Sequence, residues 1–207
     1  GDATGEVVIT VNGVDYHVAI ENGVASVTVS GLEAGDYTVS VKYAGDDNYN
    51  AAEVTKGVNV AKANPALNVI IDSVDYGNVF TINAVLTGVN NAPLDTNIIV
   101  TVNGKNYIVA IVNGKGTFHA DKLAAGSYNF NARFAGSNNY NEVSDSGKFN
   151  VYKVDSAIGI TVKDINVGED AVITVKLFSD ATGELTVTVN GKDYTANVVN
   201  GRATVSV

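Results

Sequence analysis

The sequence predicts an all-β chain of tandem antiparallel β-sandwich modules. Three observations predict it: a motif that returns at domain-sized spacing, period-two alternation between its copies, and Asn-Gly pairs where hairpins need them. Residues 10–16, Thr-Val-Asn-Gly-Val-Asp-Tyr, return at 101–107 as Thr-Val-Asn-Gly-Lys-Asn-Tyr and at 188–194 as Thr-Val-Asn-Gly-Lys-Asp-Tyr. Successive copies start 91 and 87 residues apart, about one small domain each. The shorter second interval reflects the stretch from Gly88 to Thr96, four residues longer in copy two than its counterpart in copy three.

Strands come first. Leu185, Val187 and Val189 alternate with Glu184, Thr186 and Thr188, and Tyr37, Val39, Val41 and Tyr43 alternate with Asp36, Thr38, Ser40 and Lys42. Apolar residues two apart line one face of a half-buried strand. Phe80, Ile82, Ala84 and Leu86 repeat the pattern, as do Ala171, Ile173, Val175 and Leu177, and no segment shows a convincing helical period. Turns come next. Each motif carries Asn-Gly, at Asn12-Gly13, Asn103-Gly104 and Asn190-Gly191, and a second pair follows six residues after its Tyr, at Asn22-Gly23, Asn113-Gly114 and Asn200-Gly201. A type I′ hairpin turn needs positive φ at both central residues, which Asn and Gly tolerate best.

The module boundaries follow from the copies. Residues 63–153 make one complete module of roughly seven strands; residues 1–62 make a module lacking its first two strands, and residues 154–207 one lacking its last two. Leu32-Glu33-Ala34-Gly35-Asp36-Tyr37 and Leu123-Ala124-Ala125-Gly126-Ser127-Tyr128 each precede the sixth strand. Tyr37 and Tyr128 are therefore expected to form tyrosine corners, each hydroxyl bonding back to the backbone with its ring buried. Together with Ala-Gly-x-x-Asn-Tyr-Asn at residues 44–50 and 135–141, these motifs resemble the bacterial and archaeal Ig-like repeats of very large surface adhesin-like proteins. The resemblance covers nearly the whole chain and implies tandem Ig-like sandwiches. Its motifs are turn and core residues, so it speaks to fold more than to function.

Composition narrows the function. A net charge of −9 and pI near 4.5, with Lys and Arg scattered, disfavour a nucleic-acid partner. No apolar run is long enough to cross a membrane. Cysteine is absent, so no disulfide joins the modules and stability must come from the core. Without Gln there is no Thr-Gln ester cross-link, and without an Asn-x-Ser/Thr sequon no N-glycosylation is expected within the segment. The inward faces assigned here hold neither Lys nor an acid, which disfavours a Lys-Asn isopeptide bond. Gly1 follows no initiator Met or leader, as in a mature or excised piece.

No catalytic, metal-binding or cofactor-binding residue is assigned. His17 and His119 occupy different places in the repeat and lie on outward strand parity, and no Ser, His and Asp grouping recurs. Asp46 and Asp47 could offer oxygens to calcium, but copy two has Ser137 and Asn138 there, so an Asx-rich turn is favoured. Tyr49 and Tyr140 could stack on a sugar; packing over the adjacent loop is the commoner fate of a repeated Tyr.

The expected protein is a non-enzymatic structural segment of an extracellular, cell-surface adhesin-like protein, a stalk or fibre whose partners are neighbouring copies. The alternative is a carbohydrate- or protein-binding, lectin-like module. Short connections favour the first, since residues 60–65 leave little slack and end in Pro65. Copy one lacks, and could receive from another chain or from upstream sequence, strands equivalent to residues 66–71 and 80–86.

Overall fold

The computed structural model describes residues 3–207, and these form seventeen strands with one three-residue 3-10 turn, Val89–Asn91, in the long loop of copy two. The chain is a series of Ig-like antiparallel β-sandwich modules dividing into two compact units, residues 1–152 and 153–207.

Within the first unit, copy one contributes β1 (Glu6–Val11), β2 (Val14–Ala19), β3 (Gly35–Tyr43) and β4 (Ala52–Val60), one antiparallel sheet in the order β2-β1-β3-β4. Copy two contributes β5 (Ala66–Ile71), β6 (Val74–Asp75), β7 (Val79–Thr87), β8 (Thr96–Val102), β9 (Lys105–Ile111), β10 (Lys115–Lys122), β11 (Gly126–Phe134) and β12 (Val143–Tyr152). That is seven full strands plus the two-residue β6. They form two sheets, β10-β7-β5 and β6-β12-β11-β8-β9.

Copy two closes on a continuous core because alternate residues of both sheets point between them. Phe80, Ile82, Leu86, Ile98, Val100 and Val109 are fully buried. Phe80 meets the Tyr107 ring edge-on at 5.7 Å and the Phe149 ring at 5.0 Å. Leu67, Leu94, Phe118 and Tyr128 pack around this centre.

Copy one departs from the alternation its sequence shows. Residues 24–29, Val-Ala-Ser-Val-Thr-Val, are the counterpart of β10, yet residues 25–34 belong to no strand. The reason is pairing: β10 is held by β7 alone, and no strand takes the place of β7 among the described residues of copy one. A strand without a neighbour leaves its N–H and C=O groups to water.

The second unit holds β13 (Gly159–Thr161), β14 (Val172–Lys176), β15 (Gly183–Val189), β16 (Lys192–Val198) and β17 (Arg202–Ser206), in sheets β13-β14-β17 and β15-β16. Ile173, Val175, Val198, Ala203 and Val205 are its buried apolar residues.

Candidate functional site

The repeated heptad is a hairpin with a side-chain lock. In all three copies the Thr before the turn is paired across the strands with the Asx after it, as Thr10–Asp15, Thr101–Asn106 and Thr188–Asp193. Each Thr hydroxyl donates to that side chain, at 2.6, 2.7 and 2.6 Å. The intervening Asn12, Asn103 and Asn190 have φ near +50°, and their glycines between +76° and +78°. The second set of pairs, Asn22-Gly23, Asn113-Gly114 and Asn200-Gly201, likewise has positive φ at both positions. Gly201 is constrained twice over, because a Cβ there would lie 2.1 Å from the Phe178 carbonyl.

Tyr37 donates to the Glu33 carbonyl at 2.9 Å and Tyr128 to the Ala124 carbonyl at 2.8 Å, four residues back in each case. Both rings are half-buried rather than sealed in, and Tyr128 stacks on Phe149 with centroids 5.7 Å apart. Tyr107, the last residue of the heptad in copy two, is buried and donates to Asp121 at 2.9 Å. Burial and that carboxylate push its phenol up to about 12, while the Lys105 ammonium and the Tyr107 hydroxyl hold the Asp121 carboxyl below its usual range. Lys105 and Asp121 form an exposed ion pair.

The most developed polar site joins copies one and two. Its scaffold is the loop of residues 135–142 between β11 and β12. Gly136 takes φ +88°, where a Cβ would press on the Tyr140 carbonyl at 3.0 Å; the Ser137 hydroxyl then accepts the amides of Asn139 and Tyr140 at 3.3 and 3.2 Å. This curl aims Asn139 at the connection from copy one. Its carbonyl accepts the Ala63 amide at 2.9 Å, and the Ala63 carbonyl accepts the Asn141 amide at 2.9 Å. Its side-chain oxygen accepts the Ala34 amide at 2.9 Å, reaching the loop that carries the copy-one tyrosine corner. Lys62 donates to the Ser137 carbonyl at 2.7 Å, the Asn141 amide group donates to Asn64 at 2.7 Å, and Pro65 is buried.

Copy one carries the same loop. Gly45 has φ +91°, and Asp46 replaces Ser137: one carboxylate oxygen accepts the amides of Asn48 and Tyr49 at 2.8 and 2.9 Å, the other the Thr4 amide at 3.0 Å. These bonds and the Tyr43 hydroxyl hold the Asp46 carboxyl well below the usual range. One oxygen is thus engaged by the loop's own backbone, as an Asx turn requires, and the other by the backbone at Thr4. Among the described residues no group of three or more His, Asp or Glu could hold a metal ion. His17 and His119 are exposed, His17 beside Glu6 at 2.9 Å and His119 beside Thr81 at 3.0 Å.

Two roles escaped sequence reasoning. Asn139 lies in a motif that was legible as a turn, but nothing local says that its side chain reaches another module. Asp145 lies on a strand whose inward face the sequence left unassigned: it pairs with buried Ala132 in the ladder and accepts the Val69 amide at 2.7 Å. Its counterpart in copy one is Val54, so the repeat gave no signal for it.

No protein family's sequence profile matches the chain, and neither does any curated protein. Several solved structures are similar to parts of the chain. Fibronectin(III)-like modules of Clostridium thermocellum CbhA are 14% identical over 74% of this chain and 81% of theirs, with a TM-score of 0.37. The beta-glucuronidase of Parabacteroides merdae is 14% identical over 69% of this chain and 22% of its own, at 0.32. Domains 4–9 of the surface layer protein SbsC are 16% identical over 97% of this chain and 38% of theirs, at 0.28. No helix among the described residues is long and apolar enough to cross a membrane.

Proposed function

We propose that the chain is a non-enzymatic structural segment of an extracellular surface protein of the adhesin-like kind, a stalk or fibre that holds other parts at a distance. Its partners are neighbouring copies of the same module. The observation that carries this reading is the junction centred on Asn139. There the loop of one module bonds both to the connecting segment at Ala63 and to the preceding module at Ala34. A connection clamped on both sides transmits orientation, which a spacer needs and a flexible tether lacks. The Ala-Gly-x-x-Asn-Tyr-Asn loop of copy one repeats the backbone of this clasp, as a device meant to recur along an array would.

Small-angle scattering on the 207-residue chain tests it. Residues 1–152 are expected to scatter as one rigid body of fixed length, and Asn139→Ala to broaden the distance distribution while leaving each module folded. A broad distribution in the unaltered chain would overturn the spacer reading. Saturable binding on a glycan array would replace it with the lectin-like alternative.

A further inference from the structure

We propose that copy one and the second unit carry the two halves of a self-association contact, in which β4 of one chain seats against β13 and β15 of a second copy of this chain. Such a contact specifies which faces of neighbouring copies meet, and in that respect rests on the reading above. It makes no use of the junction at Asn139.

The first half is a floor without a roof. In copy one Val39 stands across from Lys56, Val41 from Val54 and Tyr37 from Val58, so these side chains share one face of the sheet. Val39, Val41, Val54, Lys56, Gly57 and Val58 line an open groove of about 430 Å³ there. In copy two the same face of β12 packs beneath β5, where Val69 is 5% exposed and its amide reaches Asp145, the counterpart of Val54. Val54 itself is 63% exposed. The second half is a roof without a floor. Ile160 of β13 pairs with Val175 as Val69 pairs with Ala84, which makes Ile160 the counterpart of Val69. It is 62% exposed, and Ile158 and Val162 on either side of it are exposed as well. The cause is again a missing neighbour: copy two continues its sheet from β8 to β11 and β12, whereas β15 pairs with β16 alone among the described residues.

The two halves fit in kind. Each sets a free strand edge beside exposed apolar side chains, since among the described residues β4 has only β3 as a ladder partner and β15 only β16. A free edge is a template for a further strand. Pairing β4 with β15 continues the two-stranded sheet into the four strands of copy one and sets Val54 and Val58 beneath β13. Charge agrees with this arrangement, because the one charged side chain of the groove is Lys56 and Asp164 follows β13 by three residues. A partner of another sequence would have to bring both an apolar roof and a free edge; this chain already carries them. The halves differ, so the contact is heterologous and leaves one floor and one roof open at the ends of every pair. Its size sets its strength. A patch two strands wide and six residues long has a flat area of only about 200 Å², well under the roughly 800 Å² per partner of a stable complex. Association is therefore weak and depends on concentration.

Light scattering on the 207-residue chain over a concentration series tests the contact. The mean mass should rise about twofold between about 10 µM and about 1 mM, the range in which so small a contact becomes half formed. Val54→Glu spoils the floor and Ile160→Glu the roof, both at exposed sites, and each variant alone should stay monomeric. An equal mixture of the two should associate again and stop at the dimer, because the intact roof of one meets the intact floor of the other and both free ends are spoiled. Ile108→Glu, at an exposed site on the outer face of copy two, should change nothing. A mass independent of concentration in the unaltered chain would overturn the contact, whether the halves stay open or close on each other within one chain. A mixture that remains monomeric, or an equal loss from Ile108→Glu, would do the same. Should a glutamate variant fail to fold, amide exchange in the unaltered chain decides: β4 and β15 must gain protection with concentration while β9, another sheet edge, does not. A flexible chain that associates would remove the spacer reading alone, and a rigid monomer would remove this contact alone.

Discussion

Copies one and two spell nearly the same four-stranded sheet and bury it very differently. Ile98, Val100 and Val102 of β8 are 0 to 1% exposed, whereas their counterparts Val7 and Ile9 are only half-buried and Val11 alone is buried. Phe149 of β12 is 2% exposed and its counterpart Val58 44%. Hairpin register, turn dihedrals and the tyrosine-corner bond are nonetheless the same in both. Local structure is thus set by turn chemistry and alternation, while burial is set by whether β5, β7 and β10 lie across the sheet.

The largest expected effect separates the copies by core truncation. Phe149→Ala should cost about 3–5 kcal/mol, the range for deleting a buried aromatic ring, while Val58→Ala, on a 44% exposed residue, should stay within about 0.5 kcal/mol. Chemical denaturation followed through amide signals of each copy measures both, and equal costs would mean that copy one has a covering sheet in solution. A smaller contrast concerns Gly147, where a Cβ would lie 2.6 Å from the packed Phe130 ring. Gly147→Ala should cost about 1–3 kcal/mol by overpacking, and Lys56→Ala at the matching place in copy one almost nothing. Thermal melts that rank them the other way would show that the Phe130 ring yields freely.

The next prediction runs against the contrast. A tyrosine corner closes within four residues and needs nothing from the opposite sheet, so Tyr128→Phe and Tyr37→Phe should each cost about 1 kcal/mol, one neutral hydrogen bond. If only Tyr128→Phe destabilised, the corner would depend on stacking over Phe149 rather than on its hydroxyl.

Which features were legible in the sequence follows the same division. The heptad announced hairpin, register and turn type together, because Thr, Asn-Gly and Asx act within six residues of one another. Period two announced which residues could face a core, but parity does not say whether a sheet lies opposite, and residues 24–29 show the result: strand-like alternation without a strand. The junction was half legible. Gly136 and Ser137 read as a turn, while the bond from Asn139 to Ala34 spans 105 residues and leaves no local trace. Asp145 was illegible for a different reason: reading copies against each other brings out what they share, and this anchor belongs to copy two alone.

The smallest expected effect is electrostatic and again distinguishes the copies. In copy one the 44–51 loop is held by the Asp46 carboxylate, in copy two by the Ser137 hydroxyl, which does not titrate in this range. The Asp46 carboxyl is depressed first by the Thr4 amide, then by the Tyr43 hydroxyl and the Asn48 amide, relative to an ordinary value of 3.8. A group whose folded pKa is lowered contributes stability above its unfolded pKa and loses it as the pH falls towards the folded value. The copy-one loop should therefore loosen in acid below about pH 4 while the copy-two loop does not. His17 acts in the opposite sense. Its bond to Glu6 raises it above 6.5, so the contribution it makes to the β1–β2 hairpin is complete below that value and fades as the pH rises through the folded pKa. Amide spectra recorded from about pH 8 to about pH 2 should first show small changes around His17, then larger ones at Thr4, Asn48 and Tyr49, with Asn139 and Tyr140 unmoved. Acid shifts of equal size in both loops would show that something other than the Asp46 carboxylate holds the turn, and that the exchange of Asp for Ser between copies leaves the physics of the loop unchanged.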